Sequence, residues 1–191
     1  MNVITTKLTT EAIFSDDGSK RYLLRKTWDE KKKKLAIIML FPSTASGIEL
    51  DYSSMLVLNN ASRLDFGSVD ILNLSAVLDD YTLREANVED SKNLDVISKS
   101  AENADVIVYA AGVGKAKNKV FQDLQKSVIE KLRPYEDKLN CLCNESGSAR
   151  LQHPLSPAVR TWYLSPLKVG ELIEENTTKE ESKPQKKPKG K

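Results

Sequence analysis

The chain is poor in the residues that build metal centres and disulfide frameworks, with one histidine and two cysteines among 191 residues. Cys141 and Cys143 are separated by one residue, so a strand would place both thiols on the same face. A zinc site needs about four nitrogen or sulfur ligands, and the chain offers few beyond these two thiols. We therefore expect no metal site, and no motif in the sequence predicts a cofactor.

Long apolar runs are also missing. No run approaches the roughly 18 residues of a membrane-spanning helix, and the N-terminal region lacks the apolar core of a secretory signal. These absences predict a cytoplasmic protein with reduced thiols and no membrane partner. The formal net charge is only +2, so no strong overall field selects a partner by charge alone.

The last part of the chain has no large apolar residue. Residues 174–191 contain six lysines and four glutamates and cannot bury enough apolar surface to offset the entropy of ordering. We predict a single α/β domain over residues 1–173, followed by a disordered Lys/Glu-rich tail over 174–191. A solubilising tail is a simpler interpretation of that composition than a nucleic-acid-binding arm.

Apolar segments of strand length alternate with segments of helical periodicity. The predicted core strands are 35–40, 69–72, 104–110 and 138–143. The predicted helices are 53–65, 88–102 and 117–132, with a closing helix over 166–174. A hairpin is predicted over residues 12–28, around an Asp/Gly-rich turn at 15–19. This order predicts a three-layer α/β/α fold with a mainly parallel central sheet and the antiparallel hairpin at one edge.

Two local details of the helices can also be predicted. In the first helix, residues recurring every three positions predict an inner stripe of Met55, Leu58, Ala61 and Leu64. In the second helix, Asn87 is the predicted N-cap, which places Asp90 at the third helical position.

Each predicted core strand ends in small, polar or glycine residues. The four exits are FPSTASG, NLSAVLDD, AAGVGK and NESGSARLQHP. Ligands of open α/β sheets bind beyond the carboxyl ends of the strands, so the four exits predict one cleft at that edge. The ligand-binding candidates are Phe41, Ser43, Thr44, Asn73, Gly112, Lys115, Arg150 and His153.

Charged residues near these exits suggest what the cleft binds. Lys115, Lys117 and Lys119 crowd the start of the third helix, where cations are disfavoured unless an anion lies nearby; the alternative is that they splay into solvent. His153 follows Arg150 and is the candidate catalytic residue, because a neutral imidazole can donate a hydrogen bond to an oxyanion. A structural role for this lone histidine is the alternative.

The spacing of residues along the chain does not indicate a catalytic set of nucleophile, general base and general acid. Asp51, Asp79 and Asp80 fall in loops at the predicted binding edge. Asp79 and Asp80 are equally compatible with a solvated turn. Catalysis is therefore an open question from the sequence.

An ordered set of motifs resembles the domain of unknown function 1643 family, which occurs in bacteria and phages and has no established activity. The set runs through Arg21, Tyr22, Leu24, Arg25, Trp28, the loop Phe-Pro-Ser-Thr-Ala, the segment Asn-Leu-Ser-Ala, Asn93, Gly112 and His-Pro-Leu. In that family the first loop usually begins with Asn, where this chain has Phe41.

The same order is similar, more distantly, to the uracil-DNA glycosylase superfamily. That resemblance implies a uracil-DNA-glycosylase-like fold, in which Asn73 would contact the edge of a flipped base and His153 would support developing charge. Phe41 or Pro42 stands where the water-activating residue is expected, and neither can activate water. The resemblance therefore implies a nucleobase pocket more than glycosylase activity.

Three functions stay open at this point. The first is a domain that binds a nucleotide or nucleic-acid base, with or without hydrolysis. The second is a non-enzymatic interaction protein of a mobile element, which has kept the scaffold and binds a protein partner. The third is a small-molecule hydrolase or transferase, because a fold does not determine a function.

Overall fold

The computed structural model describes residues 1–43, 47–78, 90–112 and 118–172. The strands within these ranges are β1 Thr9–Phe14, β2 Arg21–Thr27, β3 Lys33–Met39, β4 Phe66–Asn73, β5 Val106–Tyr109, β6 Leu139–Cys143 and β7 Tyr163–Pro166. The α-helices bounded at both ends are α1 Tyr52–Arg63, α2 Ser91–Asn103 and α3 Lys119–Leu132. Short 3-10 helices cover Arg133–Lys138 and Pro157–Val159. The predicted tail over 174–191 lies outside the described residues.

All seven strands form one mixed sheet in the order β1-β2-β4-β3-β5-β6-β7. β4, β3, β5 and β6 are parallel, whereas β1 and β2 at one edge and β7 at the other are antiparallel to their neighbours. The α/β class and the N-terminal hairpin are therefore confirmed. The sheet is parallel only in its centre, because antiparallel strands close both edges.

The antiparallel strand β7 was not predicted, and the closing helix predicted over 166–174 begins too early. Tyr163–Pro166 pairs with β6, with Ser165 opposite Cys141, and helical residues start only at Val169. A four-residue strand with only partly buried side chains has no period-2 pattern that could be recognised in the sequence.

The core is divided between alternate residues of β3. Ala36 and Ile38 belong to a cluster with residues of α2 and α3. Leu35 and Ile37 belong to a second cluster with residues of α1 and with Trp162. Successive side chains of a strand point to opposite sides of the sheet, so β3 has to be apolar at consecutive positions, as the sequence predicts.

α1 buries a stripe that overlaps the predicted one only in part. Its buried residues are Ser54, Val57, Asn60 and Ala61. Leu58 and Leu64 of the predicted stripe are partly buried and pack against the core, whereas Met55 is exposed. Asn60 explains the rotation, because its side-chain amide donates to the Arg160 carbonyl at 3.1 Å and accepts from the Trp162 N–H at 2.9 Å. These bonds fix α1 against the connection between β6 and β7.

α1, α2 and α3 each begin with a side-chain cap. Asp51, Asp90 and Asn118 accept hydrogen bonds from the backbone N–H groups of Ser54, Asn93 and Phe121, respectively. The prediction that Asp90 lies inside the second helix is therefore wrong, because its backbone is extended and it is the N-cap. Asn87, the predicted cap, lies outside the described residues.

Candidate functional site

A cleft of about 710 Å³ opens at the carboxyl end of the central strands. It is formed by residues 40–43 after β3, residues 51–53 at the start of α1, Ala111 and Gly112 after β5, and part of the loop 152–156 after β6. Residues 73–78, the described part of the β4 exit, do not line it. Within the described residues, three of the four predicted strand exits therefore contribute to the same cleft.

The structure brings four of the predicted site residues together: Phe41, Ser43, Gly112 and His153 all line the cleft. Arg150 does not, because its guanidinium lies 3.0 Å from the Pro166 carbonyl and 3.0 Å from the Glu171 carboxylate.

Asn73, also predicted, is buried at the end of β4 and does not line the cleft either. Its backbone carbonyl accepts from Asn93 at 3.0 Å. Other predicted residues lie outside the described part of the chain: Thr44, Asp79, Asp80, Lys115 and Lys117.

Ser43 is held from two sides at the start of the first loop. Its hydroxyl donates to the Asp51 carboxylate, and its carbonyl accepts from Arg21 Nη1 at 2.9 Å. The loop therefore leaves β3 in a conformation set by one acidic and one basic side chain.

Asp51 also lines the cleft, where the sequence predicted only a loop position at the binding edge. Its carboxylate accepts from Ser54 N–H at 2.8 Å and Ser54 Oγ at 3.1 Å, in addition to Ser43. Burial alone would raise the pKa of Asp51, but these hydrogen bonds hold it below its usual value. The cleft therefore contains an ionised carboxylate. The sequence signal was present, because Asp followed by Tyr-Ser-Ser and a predicted helix is a good N-cap.

Gly112 permits a close approach between two of the strand exits. Its φ is +75°, and a Cβ at this position would lie 3.2 Å from the His153 Cβ. A side chain here would be strained by its backbone conformation and would also press on His153. The glycine thus allows the exit of β5 to support the histidine loop.

The Nδ1 atom of His153 forms a hydrogen bond within its own loop. It accepts from the Leu155 N–H at 3.2 Å, so the proton of the neutral ring resides on Nε2. Burial lowers the pKa of His153, and the nearby Asp51 carboxylate opposes part of that shift. The ring is therefore a neutral donor at physiological pH, within the electrostatic influence of Asp51.

The loop that carries His153 is rigidly held. Leu151 has a φ of +53°, which is unfavourable for a leucine, and its side chain is buried in the core. Ser156 N–H donates to the His153 carbonyl at 2.8 Å, and Ser156 Oγ donates to Gln152 at 2.8 Å. Burial of Leu151 therefore stabilises a strained turn directly before the histidine.

Two basic side chains of β2 are buried behind the first loop. Arg21 is 2% exposed and Lys26 is 1% exposed. Lys26 Nζ donates to Thr10 Oγ1 at 2.8 Å and to the Gly47 carbonyl. Burial and the positive charge of Arg21 both lower the pKa of Lys26. Arg21 and Lys26 thus hold the two sides of the first loop and place two basic groups behind it.

Lys26→Met is expected to change the pH dependence of stability. The folded pKa of Lys26 lies below its unfolded value of 10.5, so between these two values the unfolded chain binds more protons. The free energy of unfolding of the wild type therefore contains a part that rises with pH towards 10.5, and the variant lacks it. Urea unfolding over an alkaline pH series measures the free energy of unfolding of both proteins. The wild-type value minus the Lys26→Met value should rise with pH, and a constant or falling value would contradict the burial of this charge.

Aromatic and apolar side chains form the walls of the cleft. Phe41 and Pro42 lie on the β3 side, Tyr52 lies at the start of α1, and Leu155 follows His153. The Arg160 guanidinium lies 5.1 Å from the centre of the Tyr52 ring and donates to its hydroxyl. This contact orients the tyrosine at the mouth of the cleft.

The described residues contain no cluster of three or more His, Cys, Asp or Glu side chains that could hold a metal ion. Within the same ranges, no helix has the length and apolar character needed to cross a membrane.

Comparison with known families relates most of the chain to one of them. Residues 21–155 match the model of a family described as protein of unknown function (DUF1643). No curated protein and no solved structure matches the chain at a significant level. The matched range includes the whole of the cleft except Ser156.

Proposed function

Because the chain belongs to the DUF1643 family, which has no assigned function, we propose from the cleft itself that it binds a nucleotide or a nucleic-acid base. One observation carries the proposal: an aromatic-walled cleft also contains a neutral histidine donor and an ionised carboxylate. A base needs both elements, since its faces stack on aromatic rings and its edge forms hydrogen bonds.

The size of the cleft supports a ligand of this class. Its volume of about 710 Å³ lies within the range of small-molecule sites, roughly 300–1,000 Å³. Phe41 and Tyr52 offer ring surfaces, and His153 Nε2–H offers a donor for a carbonyl oxygen of the base. In this proposal His153 contacts the base edge, and Asn73 does not.

The buried charges support an anionic group on the ligand. Arg21 and Lys26 lie behind the first loop, and Lys26 donates to two neutral oxygens, Thr10 Oγ1 and the Gly47 carbonyl. Asp51 offsets part of the charge of Arg21. A phosphate at the mouth of the first loop would therefore gain favourable electrostatic energy in a site of low dielectric constant.

Hydrolysis of the bound ligand is a finer part of the proposal. Neither Phe41 nor Pro42 can activate water, but Asp51 supplies a carboxylate in the same cleft. Its two oxygens accept from Ser43 and Ser54, and the mechanism requires a water molecule at a remaining lone pair. In this mechanism Asp51 orients the attacking water and His153 donates to the oxygen on which negative charge develops.

We also propose the three-layer, uracil-DNA-glycosylase-like arrangement for this chain. Support comes from the two core clusters, one with α1 and the other with α2 and α3, which draw on alternate residues of β3. The His-Pro loop after β6 and the Pro-containing loop after β3 lie at the same cleft, as in the superfamily that the sequence resembles.

A second candidate is a non-enzymatic interaction protein of a mobile element. It is favoured by exposed apolar side chains on the segment that leads into α1, on the start of α1 and on the histidine loop: Ile48, Leu50, Tyr52, Met55 and Leu155. Exposed apolar groups around a cleft are typical of interaction surfaces. A protein partner would cover them.

The two functions differ in a binding titration with the purified full chain. Nucleotides and single-stranded and duplex oligonucleotides are titrated across a salt series. Binding to nucleic acid that falls steeply with salt supports the first function, because phosphate contacts release counterions. Absence of binding to all probes at low salt contradicts it and favours the protein partner. Release of uracil from uracil-containing DNA would establish hydrolysis. Binding without release would show that the protein recognises the base and does not cleave it from the DNA.

His153→Gln is expected to weaken the binding found in that titration about tenfold, while leaving the thermal midpoint nearly unchanged. The flexible amide of Gln replaces a ring whose Nδ1 is fixed by the Leu155 N–H, so the hydrogen bond to the ligand, worth about 1 kcal/mol or more, is weakened. The loop itself is still held in place by Leu151 and Ser156. Ser146→Ala, on an exposed turn outside the cleft, is the control. A large drop in the thermal midpoint would show instead that His153 is structural.

A further inference from the structure

One edge of the sheet presents an unprotected strand. β1 is the first strand in the sheet order and pairs only with β2. Ile13 and Phe14 at its end are exposed. Natural edge strands are commonly protected from pairing by proline, lysine or a bulge. Thr9–Phe14 contains neither proline nor lysine, and the register shift between β1 and β2 lies only at its end, between Ile13 and Phe14. The backbone of β1 from Thr9 to Ile13 is therefore available to another strand.

The segment before β1 has no partner within the described chain. Residues 1–8 are exposed and belong to no helix or strand, although Val3, Ile4 and Leu8 are apolar. The reason lies in β2, whose last paired residue, Thr27, faces Thr9. After it, the N–H groups of Trp28 and Asp29 both donate to the Gly67 carbonyl, so the chain turns away from the hairpin.

We propose that residues 4–14 pair antiparallel with the same residues of a second copy of this chain, about a two-fold axis at Thr9. A two-fold interface must be self-complementary. This register meets that condition, because each side chain lies opposite one that it attracts or packs against. It places Lys7 opposite Glu11 of the other copy, Thr5 opposite Ile13, and Ile4 opposite Phe14. Each pair occurs twice, and each joins opposite charges or side chains that pack well across strands.

The existing contacts fit this register. Glu11 lies 3.4 Å from Arg25 within its own hairpin but keeps 62% of its side-chain surface exposed. Lys7 of a second copy would extend this pair into a short charge network. Val3, Ile4, Thr5 and Thr6 are β-branched residues that favour the extended conformation. The pairing would therefore order the exposed apolar segment and cover the open edge together.

Disulfide crosslinking tests the register directly. At the two-fold axis the two Thr9 Cα atoms would lie about 4.5–5.5 Å apart, within the range of a disulfide. Thr9→Cys is therefore expected to give a covalent dimer under mild oxidation. Thr5→Cys is the control, because its two copies would lie about 26 Å apart in this register. The native Cys141 and Cys143 are buried and should not react.

Charge exchange provides a second, non-covalent test by sedimentation velocity across a concentration series. The wild type is expected to form a concentration-dependent dimer, and Lys7→Glu should weaken it about tenfold through like-charge pairs. Adding Glu11→Lys should restore part of the loss, whereas Lys168→Glu, elsewhere on the surface, should have no effect. A monomer at every concentration, equal crosslinking of the two cysteine variants, or failure of the exchange to restore dimerisation would overturn the proposal. Circular dichroism verifies the fold of each variant.

Discussion

Asp51→Ala is expected to lower the free energy of unfolding by about 2–3 kcal/mol. The substitution removes the N-cap of α1 and the acceptor of the Ser43 hydroxyl. It also removes the carboxylate that offsets the buried charge of Arg21, whose pKa is lowered by burial and raised in part by Asp51. Urea unfolding at neutral pH measures the loss.

Asp51→Asn is the matched variant, because Asn is as good an N-cap as Asp. It should be less destabilised than Asp51→Ala. The difference in free energy of unfolding between the two variants then measures the contribution of the N-cap, and the difference between Asp51→Asn and the wild type measures the contribution of the charge. The folded pKa of Asp51 lies below its unfolded value of 3.8. The stabilisation is therefore present above 3.8 and is lost as the pH falls through the folded pKa. Equal stability of both variants with the wild type would show that Asp51 organises nothing in the cleft.

The same two variants test the coupling between Asp51 and His153 without any ligand. The chain has a single histidine, so one imidazole signal in a proton NMR titration reports its pKa. This pKa is expected below the usual 6.5, because burial outweighs the effect of Asp51. Removing the Asp51 charge should lower it further. An unchanged pKa in Asp51→Asn would contradict the placement of the two residues in one cleft.

Gly112→Ala is expected to lower ligand binding about tenfold or more and to destabilise the chain by about 1–2 kcal/mol. Two effects combine at this position: a φ of +75° and a Cβ that would lie 3.2 Å from the His153 Cβ. The histidine must therefore move by a few tenths of an ångström, away from the position that suits the ligand. Its NMR signal should shift for the same reason.

Gly147→Ala separates these two effects. Gly147 has a φ of +72°, but a Cβ there would meet no atom within 4 Å. This variant should lose similar stability and keep both the binding and the histidine signal of the wild type. If the two variants behave alike in binding, contact between residue 112 and the histidine loop has no role in the site.

Much of the fold was predictable because its signals are local. β3 is apolar at consecutive positions since both of its faces are buried, and the sequence records this directly. The hairpin of β1 and β2 surrounds an Asp/Gly-rich turn and was predicted from that turn. Four candidate residues of the cleft, Phe41, Ser43, Gly112 and His153, were found because each follows a recognisable strand or motif.

Other features depend on contacts between distant parts of the chain. Asn60 rotates α1 by bonding to Arg160 and Trp162, about one hundred positions away. Arg150 turns away from the cleft because Glu171 and the Pro166 carbonyl attract its guanidinium. Neither contact leaves a periodic pattern in the sequence. The predicted inner stripe of α1 is therefore only partly right, and the predicted place of Arg150 differs from the structure.

The sequence by itself determined the α/β class, the order of the central strands and helices along the chain, and the edge of the sheet where the cleft lies. Hydrophobic periodicity and the residues that follow each strand carry that information within short segments. Only the tertiary structure decided which charged groups enter the cleft. Asp51 approaches His153, and Arg21 and Lys26 lie behind the first loop, because the order of the strands in the sheet brings together segments far apart in the chain.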